Sequence, residues 1–241
     1  MSVETQLTGK IEPFDTFWEA PQNIEKGYSS FGKFYKRNYL RYLTKDKSAS
    51  ILAISCGPGY FLNLLKNEGY INTLGIDSDP VKVEFAKRRE LNCETKHAFL
   101  FLETNKQPFD AIFVEQEINH LTKDEILSFL RLCRNNLNNN GALIVHSLNG
   151  ANPITGSEAL AQNFDHFNTF TEYSLKQVLS HSGFRDIRVF PLNLFVFYGN
   201  PLNYIGLFLN VFLNTLFRCG FIFYGKDNKI FSKKIAAVCR S

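Results

Sequence analysis

From residue 50 onward the chain alternates short, unbroken apolar runs with stretches whose apolar residues recur at helical spacing. The runs ILAIS (51–55), NTLGID (72–77), HAFLFL (97–102), FDAIFV (109–114) and GALIVHS (141–147) read as strands buried on both faces. Between them, 60–67, 80–91 and 122–137 carry helical patterns, and Pro80 suits the first turn of a helix because its φ is fixed. Thr171 opens another helix, with Glu172 in its first turn and a stop at Gly183. RDIRVF (185–190) and KIAAVCR (234–240) supply two late strands. Strand–helix alternation with short connections predicts an α/β fold: a mostly parallel, seven-stranded sheet with helices on both faces.

Two regions stand outside this rhythm. The first, residues 1–45, is read as an N-terminal helical cap on a domain spanning 46–241; it is aromatic and basic, and Phe34, Tyr35, Tyr39, Tyr42 and Leu43 fall roughly at helical spacing. The second is an apolar insertion, 188–228, before the last strand. Val189 to Phe217 contains no charged residue, and Pro191, Gly199 and Pro201 break it, which leaves Leu202–Phe217 as an uninterrupted helix. Asn203, Gly206, Asn210 and Asn214 form a narrow polar stripe on that cylinder. Burial against the domain or a dimer partner is the expected fate; peripheral membrane contact through 201–217 is the alternative, and the helix is short for a span.

A net charge of +4 is too mild for a dedicated nucleic-acid binder. The five cysteines are scattered, without C-x-x-C pairs or grouping with histidines, so neither a disulfide framework nor a metal site is expected. The polar N-terminus lacks the apolar run of a signal peptide; the expected location is cytoplasmic, with the inner face of the membrane as the variant that the apolar helix suggests.

Chemistry concentrates where the first strand ends, in Ser55-Cys56-Gly57-Pro58-Gly59-Tyr60. Glycines there let the backbone approach a ligand, and the following helix offers free N–H groups. A dinucleotide-binding turn needs a third glycine about three residues later, and that place is Leu62. This favours a nucleoside ligand without a pyrophosphate. Asp77, at the end of the second strand about twenty residues on, is placed to accept both ribose hydroxyls. Asp79 reads equally well as the N-cap of the Pro80 helix.

These elements together resemble class I, Rossmann-like S-adenosylmethionine-dependent methyltransferases: C-G-P-G, G-I-D, F-D-A-I-F-V, N-H-L and N-N-G-A-L-I-V between Ser48 and Leu148. A looser likeness from Asn152 to Phe184 (N-P-I-T-G, F-D-H, F-T-x-x-S-L, S-G-F) is similar to a subgroup that modifies bacterial surface polysaccharide and lipopolysaccharide. The resemblance implies S-adenosylmethionine as cofactor and S-adenosylhomocysteine as product. It places Gly57 and Gly59 along the methionine part and Asp77 at the ribose, with Ser55 and Ser78 among the other cofactor-binding residues. His97, Ala98 and Phe99 would border the adenine, and Glu115-Gln116-Glu117 would pass beneath the sulfonium. Trp18 and Tyr28 read either as closing over the cofactor from the cap or, more simply, as core packing. Ala53 and Ser55 stand where the family pattern has an acid and a further glycine, and His97 where an acid is usual. Those departures suggest a variant enzyme or, alternatively, a catalytically silent partner subunit.

Methyl transfer to a sugar hydroxyl calls for a general base, and His120, His166 and Asp165 are the candidates, with Glu117 nearby in sequence. His146, inside the fifth strand, reads as a core residue and His181 as an exposed one. The acceptor expected is a small molecule or glycan, on a sugar, nucleotide-linked sugar or phosphate-type group; a membrane-docked enzyme with a lipid-linked acceptor is the third reading. Lys33, Lys36, Arg37 and Arg41 read either as a basic lip for an anionic acceptor or as a solvated face.

Overall fold

The computed structural model describes residues 21–161, 163–192 and 202–241. Seven strands form one sheet: β1 (Ile51–Ile54), β2 (Thr73–Asp77), β3 (Cys93–Thr95), β4 (Phe109–Glu115), β5 (Leu137–Leu148), β6 (Arg185–Pro191) and β7 (Lys234–Arg240). Their order is β3-β2-β1-β4-β5-β7-β6; β7 runs antiparallel to both neighbours and the other neighbouring pairs are parallel. The helices are α1 (Pro21–Asn38), α2 (Tyr60–Asn67), α3 (Pro80–Arg88), α4 (Ala98–Thr104), α5 (Lys123–Asn135), α6 (Glu158–Ala161), α7 (Glu172–His181) and α8 (Leu202–Phe223).

Alternation along the central strands builds two apolar cores. Leu52, Ile54, Ile112, Val114, Leu143 and Val145 face α4, α5 and α7 on one side. Ile51, Ala53, Phe113 and Ile144 face α1, α2 and α3 on the other. Tyr35 and Tyr39 from the cap end in this second core, and the helix stops at Asn38, giving way to a tight turn over Leu40–Tyr42 instead of continuing through Leu43.

One expected strand is a helix. HAFLFL forms the start of α4, and the third strand is the short polar segment Cys93–Thr95 just before it. A six-residue apolar run does not by itself separate strand from buried helix. Here Phe99 and Leu102, three apart, are buried while Leu100 stands out at 48% exposure, which is helical spacing. The true β3 lies at the sheet edge, where a polar sequence is tolerated.

The apolar insertion also departs from expectation. α8 runs six residues past Phe217, through Arg218, and none of its span-length apolar stretch is buried in the domain.

Candidate functional site

The carboxyl ends of the parallel strands open into a cavity of about 600 Å³. Such a crevice, at the point where strand order reverses between β1 and β4, is where open α/β sheets bind ligands. Its floor is the turn after β1. Gly57 has φ +53, and a Cβ built there would meet nothing within 4 Å, so the backbone itself faces open space. Its N–H donates to Asp77 Oδ2 at 2.7 Å, while Asp77 Oδ1 accepts from the Asp79 N–H at 2.9 Å. The bend and the carboxylate therefore share one wall. Burial pushes the Asp77 carboxyl above its usual range, partly offset by those two backbone donors and by Lys82. Hydroxyl donors from a ligand would relieve that desolvation. Asp79 caps α3 by accepting from the Val81 N–H, and it also reaches the cavity wall.

Of the residues assigned to the cofactor, Ser55, Gly57, Asp77, Ser78, His97, Ala98, Phe99 and Glu115 line the cavity. Two others do not. Gly59 is turned away: φ +84 demands glycine, and a Cβ would strike Leu91 at 2.7 Å and Ala86 at 3.1 Å, so it serves close packing of the turn on α3. Tyr28 is buried behind the turn, its hydroxyl donating to the Pro58 carbonyl at 2.6 Å and its ring covered by the Arg89 guanidinium at 3.7 Å. It braces the cradle from below and does not close over it. Trp18 lies outside the described residues.

At Ser55 the backbone explains why a glycine fits that position: φ is +52. The serine hydroxyl donates to Glu117 Oε2, tying the first turn to the exit of β4, where Gln116 is likewise left-handed at φ +58. Glu115 accepts from the Tyr35 hydroxyl at 2.5 Å, and His146 Nδ1 stands 3.4 Å from its other oxygen. Burial would raise the Glu115 carboxyl, but His146, Lys234 and Tyr35 outweigh it and hold it low. The same burial keeps His146 below its ordinary value, consistent with a core histidine. His181 is exposed.

Opposite the cradle, His120 Nδ1 meets Asp165 Oδ2 at 2.9 Å, and the rings of His120 and His166 lie 4.8 Å apart. Asparagines hold this junction. Asn119, fully buried, donates to the Ser147 hydroxyl at 3.1 Å and to the Asn168 carbonyl at 2.6 Å; Asn168 donates back to the Leu121 carbonyl at 2.5 Å. The His166 ring is fixed by the Ala159 carbonyl, 2.6 Å from Nδ1. Burial raises the Asp165 carboxyl, but His120 and His166 and a backbone hydrogen bond more than offset it and hold it low. The ligand-type atoms of His120, Asp165 and His166 lie within 4.8 Å of one another, so the three candidates, 45 residues apart in sequence, meet at one place. His120 Nδ1 and Asp165 Oδ2 stand at hydrogen-bonding distance and form an Asp–His pair.

Phe31 and Tyr35 from the cap, and Lys234 at the start of β7, also line the cavity. No motif in the sequence marks them. Tyr35 is one aromatic in a stripe of them, and Lys234 is brought to this edge only because β7 runs antiparallel. Lys33, Lys36, Arg37 and Arg41 are exposed and do not line the cavity; Lys36 pairs with Glu68 at 2.6 Å and Arg41 lies over the Tyr42 ring.

Residues 28–189 match the profile described as a methyltransferase domain. The chain belongs to this family. Among solved structures, the methyltransferase domain is similar to an S-adenosylmethionine-dependent methyltransferase of Archaeoglobus fulgidus (19% identity, 89% of this chain and 94% of that one, TM-score 0.66). It is similar too to phosphoethanolamine N-methyltransferase 2 of Haemonchus contortus in complex with S-adenosyl-L-methionine (14%, 96% and 60%, 0.59). Human N-acetylserotonin methyltransferase is a third relative (12%, 99% and 61%, 0.61). At these identities the likeness is one of fold. No curated protein sequence matches significantly.

Proposed function

We propose that this methyltransferase domain binds S-adenosylmethionine and methylates a hydroxyl of a glycan or glycan precursor made for the cell surface. The observation that carries the reading is the placement of the Gly57–Asp77 cradle and the His120–Asp165 pair in the lining of one cavity. The residues fit an adenosyl ligand. Gly57 offers backbone to open space, Asp77 presents a buried carboxylate to the ribose, and Ala98 and Phe99 supply apolar surface beside the adenine position.

When bound, the cofactor supplies an activated methyl group, and the protein's part is positioning and proton management. His120, oriented through Nδ1 by Asp165, takes the acceptor hydroxyl proton at Nε2 while Asp165 stabilises the resulting imidazolium. Glu115, held ionised by Lys234, His146 and Tyr35, provides negative charge at the exit of β4. The completeness of the His120–Asp165 pair favours an active enzyme over a silent partner, and Ser55 replaces the missing glycine without opening the turn. The polysaccharide context rests on the F-D-H…F-T segment, which delivers Asp165 and His166 to the cavity. A cytoplasmic setting agrees with this reading.

Titration calorimetry with S-adenosylmethionine and S-adenosylhomocysteine is the direct test. Heat is expected from both, and Asp77→Asn should weaken each by about tenfold to a hundredfold, because hydrogen bonds to a charged group contribute roughly 1.5–3 kcal/mol. His120→Ala should leave that affinity unchanged and lower methyl transfer to a surface-glycan extract by about 10²–10⁴-fold. Absence of heat and of thermal shift at millimolar ligand would overturn the proposal.

A further inference from the structure

We infer that α8 is a monotopic membrane anchor, seated in the interface of an anionic bilayer so that the cavity is served from the lipid surface. At 22 residues it is about 33 Å long, and its span-length stretch has a mean hydropathy of 1.6 with none of it buried. Its half-covered side mixes polar and apolar positions, Gly206, Asn210 and Asn214 beside Leu207, Leu213 and Phe217, and Asn214 turns its amide onto the Asn210 carbonyl at 2.7 Å. The open side carries Ile205, Phe208, Leu209 and Phe212, each 49–74% exposed. An ordinary surface helix has the opposite arrangement, and soluble monomers rarely leave so large a contiguous apolar face uncovered.

Charge points to lipid as the occupant. The uncharged run ends at Arg218, and residues 218–233 carry Arg218, Lys226, Lys229 and Lys233, all exposed, against the single acid Asp227. Apolar surface flanked by exposed cations matches the boundary between acyl chains and anionic headgroups. Topology rules out a single crossing. The Leu192 N–H donates to the Lys234 carbonyl at 3.1 Å, so the excursion leaves and returns at one point on the sheet, and a span would need a second segment to cross back.

That point of return is the rim of the cavity, since Lys234 lines it. Phe231 is clamped there by the rings of Phe217 and Phe221, and its carbonyl accepts from Asn152 at 2.5 Å. Resting on the function proposed above, the consequence is that the acceptor is an amphiphile whose polar head reaches the cavity while its hydrocarbon stays in the bilayer.

The test is co-sedimentation of the full chain with phosphatidylcholine vesicles, with and without phosphatidylglycerol, beside light scattering of the protein alone. Wild type should pellet with the mixed vesicles, more weakly with neutral ones, and Phe208→Asp/Phe212→Asp should stay in the supernatant with an unchanged circular dichroism melt. Wild type remaining wholly in the supernatant overturns the inference. So does a dimer in solution that the double variant converts to monomer, because then a second copy covers the face. Binding of S-adenosylmethionine is read separately: heat without vesicle binding sinks the anchor and leaves the enzyme standing.

Discussion

Two glycines two residues apart are held by different demands. Gly59 sits at φ +84 with Leu91 and Ala86 where a side chain would go; Gly57 sits at φ +53 with open cavity there. Gly59→Ala should cost about 2–5 kcal/mol of stability, from left-handed strain of roughly 1–2 kcal/mol and overpacking of roughly 1–3. Gly57→Ala carries only the strain, yet its methyl projects toward the ligand, so its larger effect should fall on cofactor affinity. Urea midpoints beside calorimetry for both variants separate the two; equal stability losses would contradict this account. In sequence the pair looked alike, because a motif shows where backbone freedom is needed and not which neighbour needs it. Tyr28 was misplaced for a similar reason: its aromatic character was legible, and its contact with the Pro58 carbonyl was not.

Among the elements, the strongly periodic ones were readable. β1, β2, β4 and β5 announce themselves because strands covered on both faces must be uniformly apolar, and α5 and α7 carry capping boxes at Thr122 and Thr171. β3 escaped notice because an edge strand is free to be polar. The Asp–His pair required tertiary knowledge, since it joins the loop after β4 to the segment before α7. A pH measurement checks that joint. Asp165 is held below the unfolded carboxylate value of about 3.9, so its contribution to stability is fully present above that value and is lost as pH falls through the lower folded one. The stability gap between wild type and Asp165→Asn should therefore shrink as pH falls below about 4. A gap that is flat throughout would mean that His120 and Asp165 are not coupled.

For the whole molecule, the antiparallel β7 has an effect beyond closing the sheet. It brings the residue that ends the excursion next to the residue that begins it, Leu192 beside Lys234. The sheet needs only a tight connection at that place, and the forty-odd residues between form a loop whose length costs the core little, since closure entropy grows only logarithmically. Replacing residues 193–229 with a short glycine–serine linker should preserve the melting transition and cofactor affinity, read by circular dichroism and calorimetry, while raising solubility. The same hairpin junction is a socket: a chain wired this way can exchange its outboard module, and with it the surface it visits, without disturbing the chemistry it carries.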